Sequence, residues 1–336
     1  RGGRGGPLAP GGAMRAVTAA AWRPRSGWLG ATWLNVIGSC LLGFAASATL
    51  AEESPWNSLR DAVDLSVSAG ARHEDNLVVE ELDSVSRESG SAWVGSVDLD
   101  LEQELGGGRE IGAGYFMEQR RFDQHPDYDL DLHYGYGNLS QRLGAVRWTT
   151  RLDGSIAYLG GVRLLENRQI ALEASRLFNR VWYLRGELAF KQTDLLQAPE
   201  RNNDDTRAQF AGYYFLDGTA HYLSANYRFN AKRAEQFRFD YDGHRFGVLY
   251  NRRLSDWATL KLDWRYEERQ YLSGASTPAS GQRLDERERW RARLEIPMGK
   301  RLELELRYEH RDYGSNLESV DYTDNRLEAR FTFELL

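Results

Sequence analysis

The chain has 336 residues, 41% of them hydrophobic and 27% charged, with a formal net charge of -6. An acidic chain without a basic stripe is a poor partner for nucleic acid, and a single cysteine, Cys40, removes intrachain disulfides, thiolate zinc sites and cysteine nucleophiles from consideration. Beyond residue 51 no stretch approaches the roughly 20 consecutive apolar residues of a spanning helix, whereas a barrel strand needs only about 10 residues, half of them polar.

Residues 1–13, RGGRGGPLAPGGA, are low in complexity and precede the first methionine, Met14, so they read as an upstream tail outside the fold. Arg15, Arg23 and Arg25 then lead into an apolar stretch from Trp28 to Leu50, followed by Glu52 and Glu53, which is the pattern of a secretory signal peptide over residues 14–51. Small residues at Ala46 and Ala48, or at Thr49 and Ala51, give two cleavage points, and the second is preferred because acidic sequence begins after it. The apolar run continues through Leu41, Leu42 and Phe44, which argues against lipid attachment at Cys40.

Residues 52–336 form one expected domain, an all-β transmembrane antiparallel up-and-down β-barrel of about 14 strands. The final segments carry the pattern most plainly: Leu302, Leu304, Leu306 and Tyr308 alternate with Glu303, Glu305, Arg307 and Glu309, so one face suits lipid and the other water. Tight inner turns are expected at 106–108, 140–144, 178–180, 217–218, 255–256 and 299–300, where Gly, Asn and Asp supply the required turn geometry. Longer outer loops are expected at 73–90, 120–127, 160–168, 192–206, 230–236, 271–284 and 313–322. Short turns on one side and long loops on the other are the asymmetry of outer-membrane barrels. The Asp242-Gly243 pair reads as a turn or a bulge.

Lipid-facing columns follow from the alternation, among them Trp93, Val97, Leu99, Leu101 and Leu260, Leu262, Trp264, Tyr266. Phe178, Trp182 and Trp257 are placed in an inner aromatic girdle, and Tyr128, Tyr271, Tyr313 and Tyr322 in an outer one. The inward columns near the end of the chain are dense in charge: Lys261, Asp263, Arg265; Arg289, Arg291, Arg293, Glu295; and Glu303, Glu305, Arg307, Glu309. They read either as an eyelet that sets anion selectivity or as a ladder of cross-strand ion pairs stiffening the wall. Two further columns, Asp129, Asp131, His133 and Asp240, Asp242, His244, are expected to face the lumen and would serve the hydrolase alternative, although six strands separate them; His310, Ser315 and Asn316 cluster near the last outer loop without a diagnostic spacing. No metal or cofactor site and no catalytic motif is read from the chain.

Tyr308 to Asn316, Tyr322 to Leu327 and the terminal Phe331-Thr-Phe333, together with Ala71 to Leu77 after the first strand, resemble the carboxy-terminal barrel of the surface lipoprotein assembly modifier family and related proteobacterial barrels. The resemblance covers about the last 90 residues well and the rest only in strand cadence. It implies a barrel of 14 strands that moves lipoproteins or soluble relatives across the outer membrane; the periplasmic helical-repeat domain of that family has no counterpart here. The first strand carries Ser66, Ser68, Ala69, Gly70 and Ala71, so the seam where it meets the last strand is weak by composition; it reads either as a seam that opens sideways, as the resemblance implies, or as close packing of an amino-terminal segment in a fixed wall.

The expectation is therefore a non-catalytic channel or translocon in a bacterial outer membrane, passing a solute or a polypeptide. An outer-membrane hydrolase and a purely structural barrel are the alternatives. Expected partners are outer-membrane lipid, the barrel-assembly machinery, and an exported protein or small solute.

Overall fold

The computed structural model describes residues 62–274 and 282–335. The upstream tail, the signal peptide and its cleavage points, and the centre of the 271–284 loop lie outside the described residues. The chain enters the sheet at β1 (Val63–Glu74), makes a short hairpin of β2 (Val78–Val79) and β3 (Ser84–Val85), and continues with β4 (Gly90–Gly106), β5 (Arg109–Phe122), β6 (Leu130–Leu143), β7 (Val146–Leu159) and β8 (Val162–Phe178). It completes the wall with β9 (Trp182–Leu195), β10 (Asn203–Asp217), β11 (His221–Ala234), β12 (Tyr241–Ser255), β13 (Ala258–Gly274), β14 (Gln282–Pro297), β15 (Leu302–Ser315) and β16 (Tyr322–Glu334). Leaving aside the β2–β3 hairpin, each strand pairs antiparallel with its neighbours in sequence, and β16 returns to β1, so 14 strands close one barrel.

Five of the six inner turns fall where the sequence places them; the sixth, expected over 140–144, lies at 144–145 because β6 runs on to Leu143. Asn179 and Arg180 take positive φ of 50° and 59°, as a tight hairpin with right-handed twist requires. Three outer connections differ from expectation: Gly160 and Gly161, with φ of 55° and 76°, turn the chain at once, so residues 162–168 belong to β8; the 192–206 connection shrinks to 196–202 as β9 and β10 extend into it; and the 230–236 connection shifts to 235–240. Asp242-Gly243 is neither turn nor bulge, since the β11–β12 register runs through it without a shift.

The outer wall is apolar and solvent-facing in the isolated chain, with Trp93, Leu139, Leu188, Phe190, Leu262, Trp290 and Leu327 all exposed. Leu143 marks the inner end of this belt on β6 and His133 the outer end. The ten steps between them, at about 3.3 Å per residue and a tilt of about 40°, rise roughly 25 Å, the height of a membrane-barrel belt. The expected outer girdle is displaced. Tyr271, Tyr313 and Tyr322 point inward, with Arg283 4.1 Å above the Tyr271 ring and Arg287 4.9 Å from the Tyr313 ring.

Loop L1, residues 75–89, does not lie on the surface as a polar outer loop. It carries the β2–β3 hairpin and a 3-10 turn over Glu80–Leu82 into the outer mouth of the barrel. Leu77 is 1% exposed and packs on Ala92 and Phe122, while Val79 packs among Ala157, Leu164, Leu165 and Leu195. On the other side of the mouth, Glu80 meets Arg287 at 3.3 Å and Arg311 at 3.0 Å. Burial of the apolar residues and pairing of the charged ones place L1 across the lumen.

Candidate functional site: the lumen and its outer chamber

Strand parity decides what the lumen contains. Exposure of Leu262, Trp290 and Leu306 places the alternate residues of β13, β14 and β15 inside, so all eleven charged residues expected to line the lumen there do face it. Most are neutralised by neighbours. Lys261 pairs with Glu295 at 2.5 Å, Arg289 with Asp263 at 2.8 Å, Arg291 with Glu309 at 2.5 Å, and Arg307 with Glu305 at 2.6 Å; Arg293 lies 4.0 Å from Glu305. Among the described residues, Arg265 and Glu303 have no ion-pair partner. This wall has the geometry of a cross-strand ladder, in which facing opposite charges cancel most of the field a passing ion would feel.

The two Asp–His columns are not in the lumen. Leu139 and Leu143 fix the outward parity of β6, and Phe246 and Leu254 that of β12, so Asp131, His133, Asp242 and His244 lie on the outer wall. The physical reason on β6 is loop L1: Leu130 and Leu132 turn inward to seat Val79 and Leu82, which sends their polar neighbours outward. His133 Nδ1 pairs with the Tyr115 hydroxyl at 2.8 Å and Arg121 donates to Asp131 at 2.6 Å; His244 pairs with Tyr227 at 2.8 Å and Arg233 donates to Asp242 at 2.8 Å. Asp129 and Asp240 instead end the outer turns, accepting from the amides of Phe122 at 2.8 Å and Ala234 at 2.6 Å.

The same rim carries His310 against Asn325 at 2.8 Å and His73 against the Ser91 hydroxyl at 3.0 Å. His73, Ser91 and Asp75 have the composition of a nucleophilic triad, but Asp75 stands 3.9 Å from the ring nitrogen, beyond the reach of a hydrogen bond that would orient it. Asp75 is held instead by Asn325, at 2.7 Å. Recurrence of a histidine pair on four hairpins at one level is the signature of an interfacial ring of amphipathic side chains. Among the described residues no group of three or more His, Cys, Asp or Glu is placed to hold a metal ion.

The lumen feature that sequence reasoning missed lies between L1 and the wall formed by β8 to β14. It is a chamber of about 350 Å³ whose lining includes Lys191, Arg207, Arg228, Lys232, Arg245 and Arg269. Arg207 pairs with Asp205 at 2.9 Å, and Arg245 and Arg269 share Glu267, donating at 2.7 and 2.5 Å. Lys191, Arg228 and Lys232 have no carboxylate within 4 Å among the described residues. Arg228 donates to the amide oxygen of Gln209 at 2.8 and 2.7 Å, and Lys232 sits 5.6 Å from the Tyr241 ring. Against these three unpaired cations the lining sets one acid without an ion-pair partner among the described residues, Glu81 of L1, so the confined space keeps a positive excess that attracts anions more strongly than a paired ladder does. The signal was present in the alternation of β9 to β11, where Lys191, Arg207, Arg228 and Lys232 share inward parity, and neighbouring strands supply few acids.

L1 forms the lid of this chamber. Asp83 Oδ2 accepts from Arg201 at 2.9 Å and from Arg283 at 3.1 Å, tying the loop to the β9–β10 connection and to β14. Burial would lift the Asp83 carboxyl, but the bonds and charges of Arg283 and then Arg201 outweigh it and hold it below the usual carboxylate range.

No protein-family model matches the chain, and a search of curated protein sequences gives no match. Solved structures do match. An anion-selective porin from Comamonas acidovorans superposes with a TM-score of 0.51 at 9% identity, covering 81% of this chain and 98% of the porin. In-vitro folded OmpT, an outer membrane protein of Vibrio cholerae, superposes with a TM-score of 0.50 at 7% identity, covering 81% of this chain and 97% of OmpT. At such low identity the likeness is one of fold, and the chain has the closed antiparallel barrel of outer-membrane proteins.

Proposed function

We propose that the chain is an outer-membrane channel that passes small hydrophilic solutes, favours anions at its outer chamber, and performs no catalysis. The observation that carries this is the unpaired set Lys191, Arg228 and Lys232 facing the space beneath L1. The apolar belt and the outer-membrane fold support the location, and the outward placement of the Asp–His residues supports the non-catalytic reading.

The resemblance to lipoprotein assembly modifiers implies a translocon whose seam parts sideways. The seam geometry favours a fixed wall. β1 and β16 pair from Ser66 to Glu74, and lumenal ion pairs cross the join: Arg72 to Glu328 at 2.6 Å, Arg326 to Glu74 at 3.3 Å, and Arg330 to Glu118 on β5 at 3.2 Å. Small residues on β1 thus coexist with a stitched seam.

The test is ion selectivity. In a planar bilayer with a KCl gradient, replacing Lys191, Arg228 and Lys232 together by Gln should move the reversal potential toward cation preference. The shift should shrink near 1 M salt, where the Debye length falls to about 3 Å. An unchanged potential at 0.1 M would remove the anion-favouring chamber from the account.

A further inference from the structure

A second cavity, of about 440 Å³, opens at the inner end of the lumen on the same wall as the cationic chamber. Four aromatic rings line it: Tyr183 on β9, Tyr213 and Phe215 on β10, and Tyr222 on β11. Tyr213 is their hub, with ring centroids 5.6 Å from Tyr183, 6.1 Å from Tyr222 and 6.5 Å from Phe215, the last at an interplanar angle of 18°. These rings do not serve the membrane interface. On the same strands the outer wall has its own aromatic pair, Trp182 and Tyr214, with centroids 4.6 Å apart.

Charge accompanies the rings. Arg253 lines the cavity and has no carboxylate partner among the described residues, while Lys261 on the far side is neutralised by Glu295 at 2.5 Å. A wall of half-buried aromatic faces beside one uncompensated guanidinium suits a solute with a ring face to stack and an anionic group to pair. A linear acid would satisfy the arginine and leave the rings wet.

We infer that this cavity is a binding site for ring-bearing organic acids, a second station on the path of anions through the lumen. The inference rests on the channel reading for its role in transport, and on the cavity alone for binding. Ring-bearing acids include aromatic carboxylates and cyclic sugar acids, and both present a carboxylate beside a face that can stack on tyrosine. The cationic chamber above would concentrate any anion, and the aromatic cavity below would select among them.

Binding is measured by equilibrium dialysis against the full chain folded in detergent, with empty micelles as the blank, so the readout does not depend on conductance. The probes are benzoate and galacturonate as ring acids, with acetate and gluconate as open-chain acids of the same charge. One or both ring acids should bind roughly tenfold more tightly than its open-chain counterpart, the scale expected of one or two stacking contacts. Benzoate alone would identify aromatic acids, galacturonate alone sugar acids, and both the whole class. Tyr213→Leu with Tyr222→Leu should abolish the ring preference, and Arg253→Gln should weaken the ring acids while leaving ring and chain acids distinguishable. Folding of each variant is checked by its faster gel migration when unboiled. Equal binding of ring and open-chain acids by the unaltered chain, or a ring preference that survives the double leucine variant, would overturn the inference. If the ring acids bind but no conductance is found, the channel reading fails and the binding site stands. If the barrel conducts without ring preference, the site fails and the channel stands.

Discussion

Asp83→Asn should loosen loop L1. A single oxygen of Asp83 receives the guanidinium groups of Arg201 and Arg283, at 2.9 and 3.1 Å, so one side chain ties the loop to two parts of the wall. Asparagine keeps an acceptor oxygen but loses the charge, and a hydrogen bond to a charged group contributes roughly 1.5–3 kcal/mol against about 1 for a neutral pair. Arg283 retains Asp285 at 2.8 Å, so the variant leaves no stranded cation on β14. The net weakening of the docked loop is then about 1–3 kcal/mol, and about 1.4 kcal/mol is tenfold in an opening equilibrium. Hydrogen exchange reads that equilibrium at the amides of Leu77 and Ser86, which bond the carbonyls of Glu88 and Leu77 at 3.0 Å each within the loop. Both should exchange about 5 to 150 times faster in the variant, while amides in the middle of β10 keep their rates. Unchanged exchange at Leu77 and Ser86 would refute Asp83 as the tie that holds L1 down.

The same carboxylate sets a pH dependence. Its folded pKa is depressed, so its contribution is complete above the unfolded value of about 3.9 and is lost as pH falls through the lower folded value; exchange at Leu77, corrected for intrinsic rate, should stay constant from about pH 7 to 5 and quicken only below about 4. On the outer wall, Leu262→Arg should cost about 2–4 kcal/mol in urea unfolding from vesicles, the penalty for a cation near mid-belt, whereas Lys261→Leu on the lumenal side should cost less; equal costs would mean that the two faces have been assigned the wrong way round. At the seam, Ala71 and Ala329 are direct partners, and a disulfide between Ala71→Cys and Ala329→Cys should leave ion conductance as it was. A locked seam that halted surface display of a lipoprotein in cells would restore the translocon reading.

Turns and strand number were legible because each rests on local chemistry. The Gly106 to Gly108 run and Asn179-Arg180 sit at positions of positive φ, and the alternation of β14 and β15 spans enough residues to fix parity unaided. Parity failed on β6, where Leu130 and Leu132 look lipid-facing by alternation but serve as a seat for Val79 and Leu82, residues some 50 positions earlier. No local pattern reports a loop that folds back into the lumen. The 162–168 segment reads as a loop for a related reason: β8 continues past the belt, where Arg163 and Arg168 both pair with Glu166 on the outer face, so its polarity reflects height above the membrane. The cationic chamber was hidden because a charge's worth depends on its partners. Arg291 and Lys191 look alike in sequence, and only the facing strands distinguish the paired residue from the bare one.

Single-channel recording of the refolded chain bears most directly on the central claim. A conducting lumen with an uncompensated cationic chamber predicts discrete, ohmic current steps in 1 M KCl and, across a gradient near 0.1 M, a reversal potential displaced toward that of chloride. A barrel that inserts, shifts on unboiled gels and yet passes no current, or one that prefers potassium at low salt, would contradict it.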